Sequence, residues 1–163
     1  MSTNPSKPYG LGNSEDAGNV AEFLLPEAQN GDPFVQNGLG LPYRDGIGVN
    51  QDAEEAFKWF SKAAEEGNID AQVKVGFMYQ NGVGVLQNSR TAIEWWIHAA
   101  MQEDLIAQFN LGYAYATGIG VEKNSIQAAN WYELAASQGL VDAQFSLGLL
   151  YEFGEGGEII CSD

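Results

Sequence analysis

Cysteine, histidine and basic residues are all scarce in these 163 positions: one Cys, one His, and seven Lys and Arg together. Cys161 stands alone, so no intrachain disulfide can form, which fits a reducing compartment. Metal sites need clusters of His, Cys or carboxylate at ligand spacing, and the chain has none, so neither a metal nor a cofactor is expected. Against the seven bases stand 22 acids, a net charge of −15; after Lys123 no base appears while six acids follow. Such a surface repels nucleic acid and anionic lipid, and neither is expected as a partner. It points to a basic protein partner, or simply to solubility. No apolar run approaches the ~20 residues of a membrane span. Residues 1–12 are polar and hold Gly and Pro, with no basic stretch leading into an apolar one, so they do not read as a signal peptide. With the single cysteine, that favours a cytoplasmic location. The apolar content, at 45%, is ordinary for a folded soluble protein, and the length suits one domain with a real core.

What the sequence does have is a period. Gly40, Gly76, Gly112 and Gly148 are each 36 residues apart, and so are Tyr43, Tyr79, Tyr115 and Tyr151. Gln36, Gln72, Gln108 and Gln144 keep the same step, as do Gly46, Gly82, Gly118 and Gly154, and Gly48, Gly84, Gly120 and Gly156. In the other half of the unit Trp59, Trp95 and Trp131 align, with Ala56, Ala92 and Ala128 and three Ala-Ala pairs beginning at Ala63, Ala99 and Ala135. No insertion breaks the register. A fixed period of this length signals stacked supersecondary units.

Each unit reads as two helices. Helix A of the second unit covers about 70–80, where Ala71, Val75, Met78 and Tyr79 recur at helical spacing. Gly82 stops it, because glycine accepts the left-handed conformation of a helix end. Helix B begins at the cap Asn88 and runs to about 102, with Ala92, Trp95, Trp96, Ala99 and Ala100 on its apolar face. Asp52 with Glu55, and Asn124 with Gln127, have capping-box spacing. Gly67 and Gly139 close helix B, and Glu103 replaces that glycine in the middle unit. Gly76 and its sisters lie inside helix A, where glycine costs ~1 kcal/mol relative to alanine. Repetition of that cost suggests the close approach of another backbone, with the Ala-Ala pairs offering a flat surface to match. The Trp and Tyr columns read as core between layers.

The run from Ala107 and Gln108 through Leu111, Gly112, Tyr115, Gly118, Gly120 and Val121, followed by Ala128, Trp131, Ala135, Ala136 and Gly139, resembles the Sel1-like repeat, a relative of the tetratricopeptide repeat. The resemblance covers about residues 31–156. It implies an all-α fold, a right-handed superhelical solenoid of antiparallel helix pairs. It also implies the family's usual role as an adaptor or scaffold in protein–protein assemblies. Some cysteine-rich relatives have been linked to β-lactam binding and would suggest a hydrolase. Those carry paired cysteines in each unit, which this chain lacks, so the activity is not carried over. There is no Ser-x-x-Lys motif either.

The ends depart from the pattern. The expected organisation is a flexible segment over 1–15, an array over 16–156 and a tail over 157–163. The array divides into a degenerate half-repeat 16–31, repeats 32–68, 69–104 and 105–140, and a partial repeat 141–156. In the half-repeat Phe23 falls under Trp59 and Ala28 under Ala64, while Pro26 predicts a kink or a restart of the helix. Gly38, Gly40 and Pro42 predict a short first helix A. The last helix A, without a partner helix B, is expected to expose Leu147, Leu150 and Tyr151. That predicts either a module of a longer polypeptide or self-association through the uncapped end.

Chemistry is sparse. His98 lies where Lys62 and Leu134 stand in the sister units, a position that reads as surface and not as a catalytic or metal site. The Gly-x-Gly pairs lack a Walker lysine and a preceding strand, and serve as loop punctuation. No enzyme is predicted. The candidate binding residues are those that vary on helix A while the frame stays fixed: Phe77 and Gln80, Tyr113 and Ala116, Leu149 and Glu152, with Lys74 and Asn110 as further candidates. By analogy with tetratricopeptide arrays these line a concave face that takes a peptide or helix of another protein. The competing reading is that Phe77 and Tyr113 only pack against the next repeat.

Overall fold

A computed structural model describes residues 14–152, with side-chain surroundings from Val20 onward. The expectations for residues 1–13 and for 153–163, including Gly154, Gly156 and Cys161, lie outside the described residues. Among the described residues there are eight helices and no strand: α1 (Ser14–Gln29), α2 (Pro33–Asp45), α3 (Ala53–Glu65), α4 (Ile69–Asn81), α5 (Ser89–Ala100), α6 (Leu105–Thr117), α7 (Ser125–Ser137) and α8 (Val141–Glu152). Each helix packs chiefly on its neighbours in sequence, which makes the fold a helical solenoid. The A helices are α2, α4, α6 and α8; the B helices are α1, α3, α5 and α7. None of the eight is long and apolar enough to cross a membrane.

The repeat fixes where each helix starts and stops. Six N-caps, Asp32, Asp52, Asn68, Asn88, Asp104 and Asn124, accept a backbone N–H of the first turn on their side chains. Gly46, Gly82 and Gly118 end the A helices in the left-handed conformation. Glu103 adopts it too, at φ 65°, where its sisters Gly67 and Gly139 sit at 89° and 93°.

The capping boxes are only half made. Asp52 and Asn124 accept from the N–H of Glu55 and Gln127 at 2.9 and 3.0 Å. Their own N–H groups are taken elsewhere, by the carbonyls of Tyr43 and Tyr115 at 2.8 and 2.9 Å, and Asn88 does the same with Tyr79. The Tyr column therefore anchors the start of helix B with its backbone as well as filling the core with its ring. Glu55 is left to pair with Lys58.

The glycine column inside helix A meets rings, not backbone. A Cβ on Gly40, Gly76 or Gly112 would lie 2.5, 2.4 or 2.5 Å from the side chain of Phe60, Trp96 or Tyr132. These three rings follow the Trp column by one residue, and all are buried. The close backbone approach is at the loop glycines instead. A Cβ on Gly84 would fall 2.0 Å from the carbonyl oxygen of Ala53, and one on Gly120 would fall 2.7 Å from the carbonyl of Ser89. Each loop thus rests on the first turn of the preceding helix B.

The Gln column joins neighbouring units. Gln36, Gln72 and Gln144 donate their side-chain N–H to the carbonyls of Ala28, Ala64 and Ala136, near the open end of the preceding helix B. Each of those carbonyls also accepts the N–H of the glycine that closes its helix, Gly31, Gly67 or Gly139, and the first two amides are buried with them.

Three expectations at the ends are corrected in part. Helix α1 runs through Pro26 without a restart. Phe23, under Trp59 in register, is 73% exposed, while Leu24 and Leu25 pack on the core. Helix α2 is as long as its sisters despite Gly38, Gly40 and Pro42. Its Asp32 cap, Pro33 in the first turn and burial of Gln36, Leu39, Gly40 and Pro42 between α1 and α3 outweigh poor propensity. In α8, Leu150 is buried and Leu147 packs on the core formed with α7. Tyr151 donates its hydroxyl to Glu133 at 2.6 Å. The apolar side chains left outside on α8 are Val141, Phe145 and Leu149.

Candidate partner-binding face

The A helices stand side by side on one layer of the solenoid, with the rings at 60, 96 and 132 set behind them. Two of the hollows between these helices fall in register with each other. One, of about 350 Å³, lies between α2, α4 and α6 and is lined by Arg44, Phe60, Val73, Lys74, Phe77, Met78, Ile106 and Asn110. The other, of about 310 Å³, lies between α6 and α8 over α7 and is lined by Tyr113, Ala116, Thr117, Tyr132, Ser146, Leu149 and Leu150.

The two hollows are the same site two repeats apart. Subtracting 72 from Ala116, Tyr132, Ser146, Leu149 and Leu150 gives Arg44, Phe60, Lys74, Phe77 and Met78, all of which line the first hollow. The floor is in each case a ring of the buried column, and the rim is the variable column Phe77, Tyr113 and Leu149. These three are 57%, 50% and 37% exposed. Other large apolar side chains, such as Leu86 and Met101, are more exposed still, so what marks these three is their place at the hollows and not their exposure alone.

Of the candidates read from the sequence, Tyr113, Ala116 and Leu149 come together at the α6–α8 hollow, and Phe77 with Lys74 and Asn110 at the other. Gln80 and Glu152 line neither. Gln80 is half-buried, its side-chain oxygen has no donor among the described residues, and its backbone carbonyl accepts from Gln87 at 2.8 Å. Glu152 is exposed at the end of α8. Arg44, Ile106, Thr117, Tyr132 and Ser146 were not among the candidates. Arg44 occupies the column of Gln80, Ala116 and Glu152, so a step of 36 back from Gln80 reaches it.

Charge is not uniform over this layer. Helix α6 has no charged residue, and the four A helices hold only four of the 22 acids, with Arg44 and Lys74 as their bases. Arg44 pairs through Nε and Nη2 with Asp45 at 2.7 and 2.8 Å. Lys74 pairs with Asp70, contacts Asn37 Oδ1 at 3.4 Å and lies 5.5 Å over the ring of Phe60. Burial pushes the Asp70 carboxyl upward, but the bonds from Lys74 and Asn37 and the charges of Lys74 and Arg44 hold it below the usual carboxylate value. In the second hollow Tyr132 is pushed up, chiefly by burial, with the Ser146 hydrogen bond opposing.

Elsewhere the chemistry is sparse. His98 is exposed on α5 with its ring 5.9 Å from that of Trp95. Among the described residues no group of three or more His, Cys, Asp or Glu could hold a metal ion.

The family model for the Sel1 repeat matches residues 33–68, 69–104, 105–140 and 141–159. Proteins of this family generally act as protein–protein interaction scaffolds and are typically non-enzymatic. No match was found among the curated proteins. Among solved structures the chain resembles c5321, described as a protective antigen present in uropathogenic Escherichia coli strains displaying an SLR fold. The match is 36% identical with a TM-score of 0.84, over 86% of this chain and 30% of that one. It also resembles a Sel1 repeat protein from Oxalobacter formigenes, 36% identical with a TM-score of 0.80, over 89% of this chain and 59% of that one. A third is cysteine-rich protein B of Helicobacter pylori, 25% identical with a TM-score of 0.64, over 82% and 96%. The chain thus spans less than two thirds of the first two, and its single cysteine sets it apart from the third. An unbroken 36-residue register over four matched units, folded as stacked helix pairs, places the chain in the Sel1 repeat family.

Proposed function

We propose that this array binds a segment of another protein along the layer of A helices, with Phe77, Tyr113 and Leu149 as its apolar contacts and Ala116 in the wall of the far hollow. The observation that carries this reading is the recurrence of one hollow two repeats apart, each with an exposed apolar rim. A structural core needs no such opening. A row of equivalent hollows suits successive side chains of one extended or helical partner segment. Aromatic anchors in pockets carry most of the energy of such contacts. Gln80 and Glu152, at the same register as Ala116 and Arg44, border the path and would tune its polarity.

Selection of peptides from a displayed random library on the purified chain, followed by fluorescence anisotropy on the selected sequences, tests this directly. Phe77→Ala and Tyr113→Ala should each weaken binding about tenfold, which corresponds to about 1.4 kcal/mol, with the circular dichroism spectrum unchanged. Selected peptides that bind the double variant as tightly as the parent would sink the proposal.

A second reading rests on α8. Val141 and Phe145 are 71% and 67% exposed, whereas their equivalents Ile69 and Val73, and Leu105 and Phe109, are partly buried. This face supports self-association or assembly within a longer polypeptide. Light scattering across a concentration series decides it: a mass that rises with concentration and falls back to the monomer in Phe145→Asp supports the reading, and a monomer throughout removes it.

A further inference from the structure

The two hollows share a frame but not a chemistry. In the α2–α4 hollow the variable positions are Arg44 and Lys74; in the α6–α8 hollow the same columns hold Ala116 and Ser146. Two of the chain's seven bases therefore line one opening, in a protein with 22 acids. Each already holds a carboxylate, Asp45 on Arg44 and Asp70 on Lys74, although neither carboxylate lines this opening. Asp70 borders a separate hollow with Phe34, Asn37 and Ile69, and Asp45 borders none of the hollows described. Arg44 spends Nε and Nη2 on Asp45 and leaves Nη1 to donate. At the other end of the layer Asp142 and Glu152 are the charges of α8. Along the column of Arg44, Gln80, Ala116 and Glu152 the charge thus runs from positive through neutral to negative.

Resting on the A-helix reading above, we propose that the partner segment is anchored at two points: an acidic side chain over Arg44 and Lys74, and a bulky apolar or aromatic side chain in the α6–α8 hollow. Charge complementarity selects the first anchor. Guanidinium and ammonium groups on an apolar floor recognise a carboxylate, and a lysine placed there meets like charge. Volume and polarity select the second. An apolar cavity of about 150 Å³ holds a benzene molecule, so an opening of about 310 Å³ takes an aromatic side chain. The anchors lie two repeats apart, so one segment must span two units of the array to occupy both. The general acidity of the chain, which taken alone favours a basic partner, lies mostly on the B helices, the loops and the termini. It does not set the chemistry of this path.

Four fluorescein-labelled peptides test the proposal by anisotropy at low salt: Glu and Phe separated by a Ser/Ala spacer of four to eight residues, and the same peptides with Lys for Glu, Gln for Glu, or Ala for Phe. The Glu–Phe peptide should bind at least tenfold tighter than the Lys–Phe peptide, and the gap should close as salt is raised. In Arg44→Glu the order of the two should reverse; in Arg44→Gln, which introduces no new repulsion with Asp45, the preference should collapse without reversing. Ala116→Trp, which fills the far hollow, should erase the advantage of Phe over Ala. Equal binding of the Glu and Lys peptides to the parent chain, with Phe still preferred over Ala, overturns the acidic anchor and leaves the A-helix reading standing. No preference for Phe in the parent, with no effect of Ala116→Trp, overturns both.

Discussion

Alanine at Gly76 and alanine at Gly148 should move stability in opposite directions, although the two glycines occupy the same column of the repeat. Removing an interior helical glycine gains about 1 kcal/mol of intrinsic propensity at either site. At Gly148 the new methyl meets no described atom within 4 Å, so the gain stands. At Gly76 the methyl would lie 2.4 Å from Trp96 Nε1 and 2.6 Å from Cδ1. The indole is 5% exposed and donates to the Val73 carbonyl at 3.4 Å, so it cannot swing into solvent and would lose that bond on moving. Overpacking of this kind costs about 1–3 kcal/mol, and a lost buried hydrogen bond about 1 more. The net at Gly76 is a loss of about 2 kcal/mol. For a chain of this length each kcal/mol shifts Tm by about 2–4 °C. Gly76→Ala should therefore melt about 4–8 °C lower than the parent, and Gly148→Ala about 2–4 °C higher, by circular dichroism at 222 nm. In a Trp96→Leu background the penalty at Gly76 should vanish, since the ring is its cause. Two shifts of the same sign, or a penalty at Gly76 that persists without the indole, would refute the assignment of this column to ring packing.

Glu103 is held at φ 65°, where its two sisters are glycine, and its carbonyl already accepts from Gln138 at 3.0 Å. A left-handed L-residue costs about 1–2 kcal/mol. Part of the relief in Glu103→Gly is offset by the freer unfolded chain, so that variant should melt about 2 °C higher in the same assay; a lower Tm would mean that the Glu103 side chain makes a compensating contact. Alkaline pH acts through two tyrosines. Tyr132 is raised above 10.0 by burial, with the Tyr113 charge adding, and Tyr151 is raised first by its bond to the Glu133 carboxylate. A folded value above the unfolded one gives stability that is present below about pH 10 and lost as pH rises through the folded value. Tm should therefore fall between pH 9 and pH 11, and Tyr151→Phe should flatten that fall; an unchanged slope in the variant counts against the linkage.

Much of this architecture could be read from the sequence because it is local. The caps at Asp52, Asn88 and Asn124 and the stops at Gly82 and Gly118 act within one turn of their own helix, and a period of 36 repeats the signal until it cannot be missed. Glycine was harder, since one letter serves three purposes. At Gly82 it adopts positive φ, at Gly76 it makes room for a ring, and at Gly84 it makes room for the carbonyl of Ala53 while also sitting at φ 67°. Spacing shows that a glycine is required but not what crosses above it, because the crossing atom belongs to another helix. The length of α2 was misjudged for a related reason. Propensity at Gly38 and Pro42 is a property of the segment, while burial of Leu39 and Gly40 under α1 and α3 is a property of the stack.

The candidate face was visible where the sequence varies inside an invariant frame, and hidden where the frame itself seemed weak. Phe77, Tyr113 and Leu149 share one column between the fixed Gly and Tyr columns, and a repeat that holds its frame while changing those positions changes its surface, not its fold. Arg44 belongs to the neighbouring column but lies in the helix whose glycines and prolines argued against it. The same periodicity that obscures individual roles in the core makes the surface legible, because equivalent positions present equivalent openings. On the proposed face, differences within a column would then carry the specificity. Between Arg44 and Ala116, and between Lys74 and Ser146, the scaffold is held constant while charge is removed. A partner that occupies both openings must match that difference along its own length, so its orientation along the array is set by side-chain chemistry, since the backbone frame is the same at both.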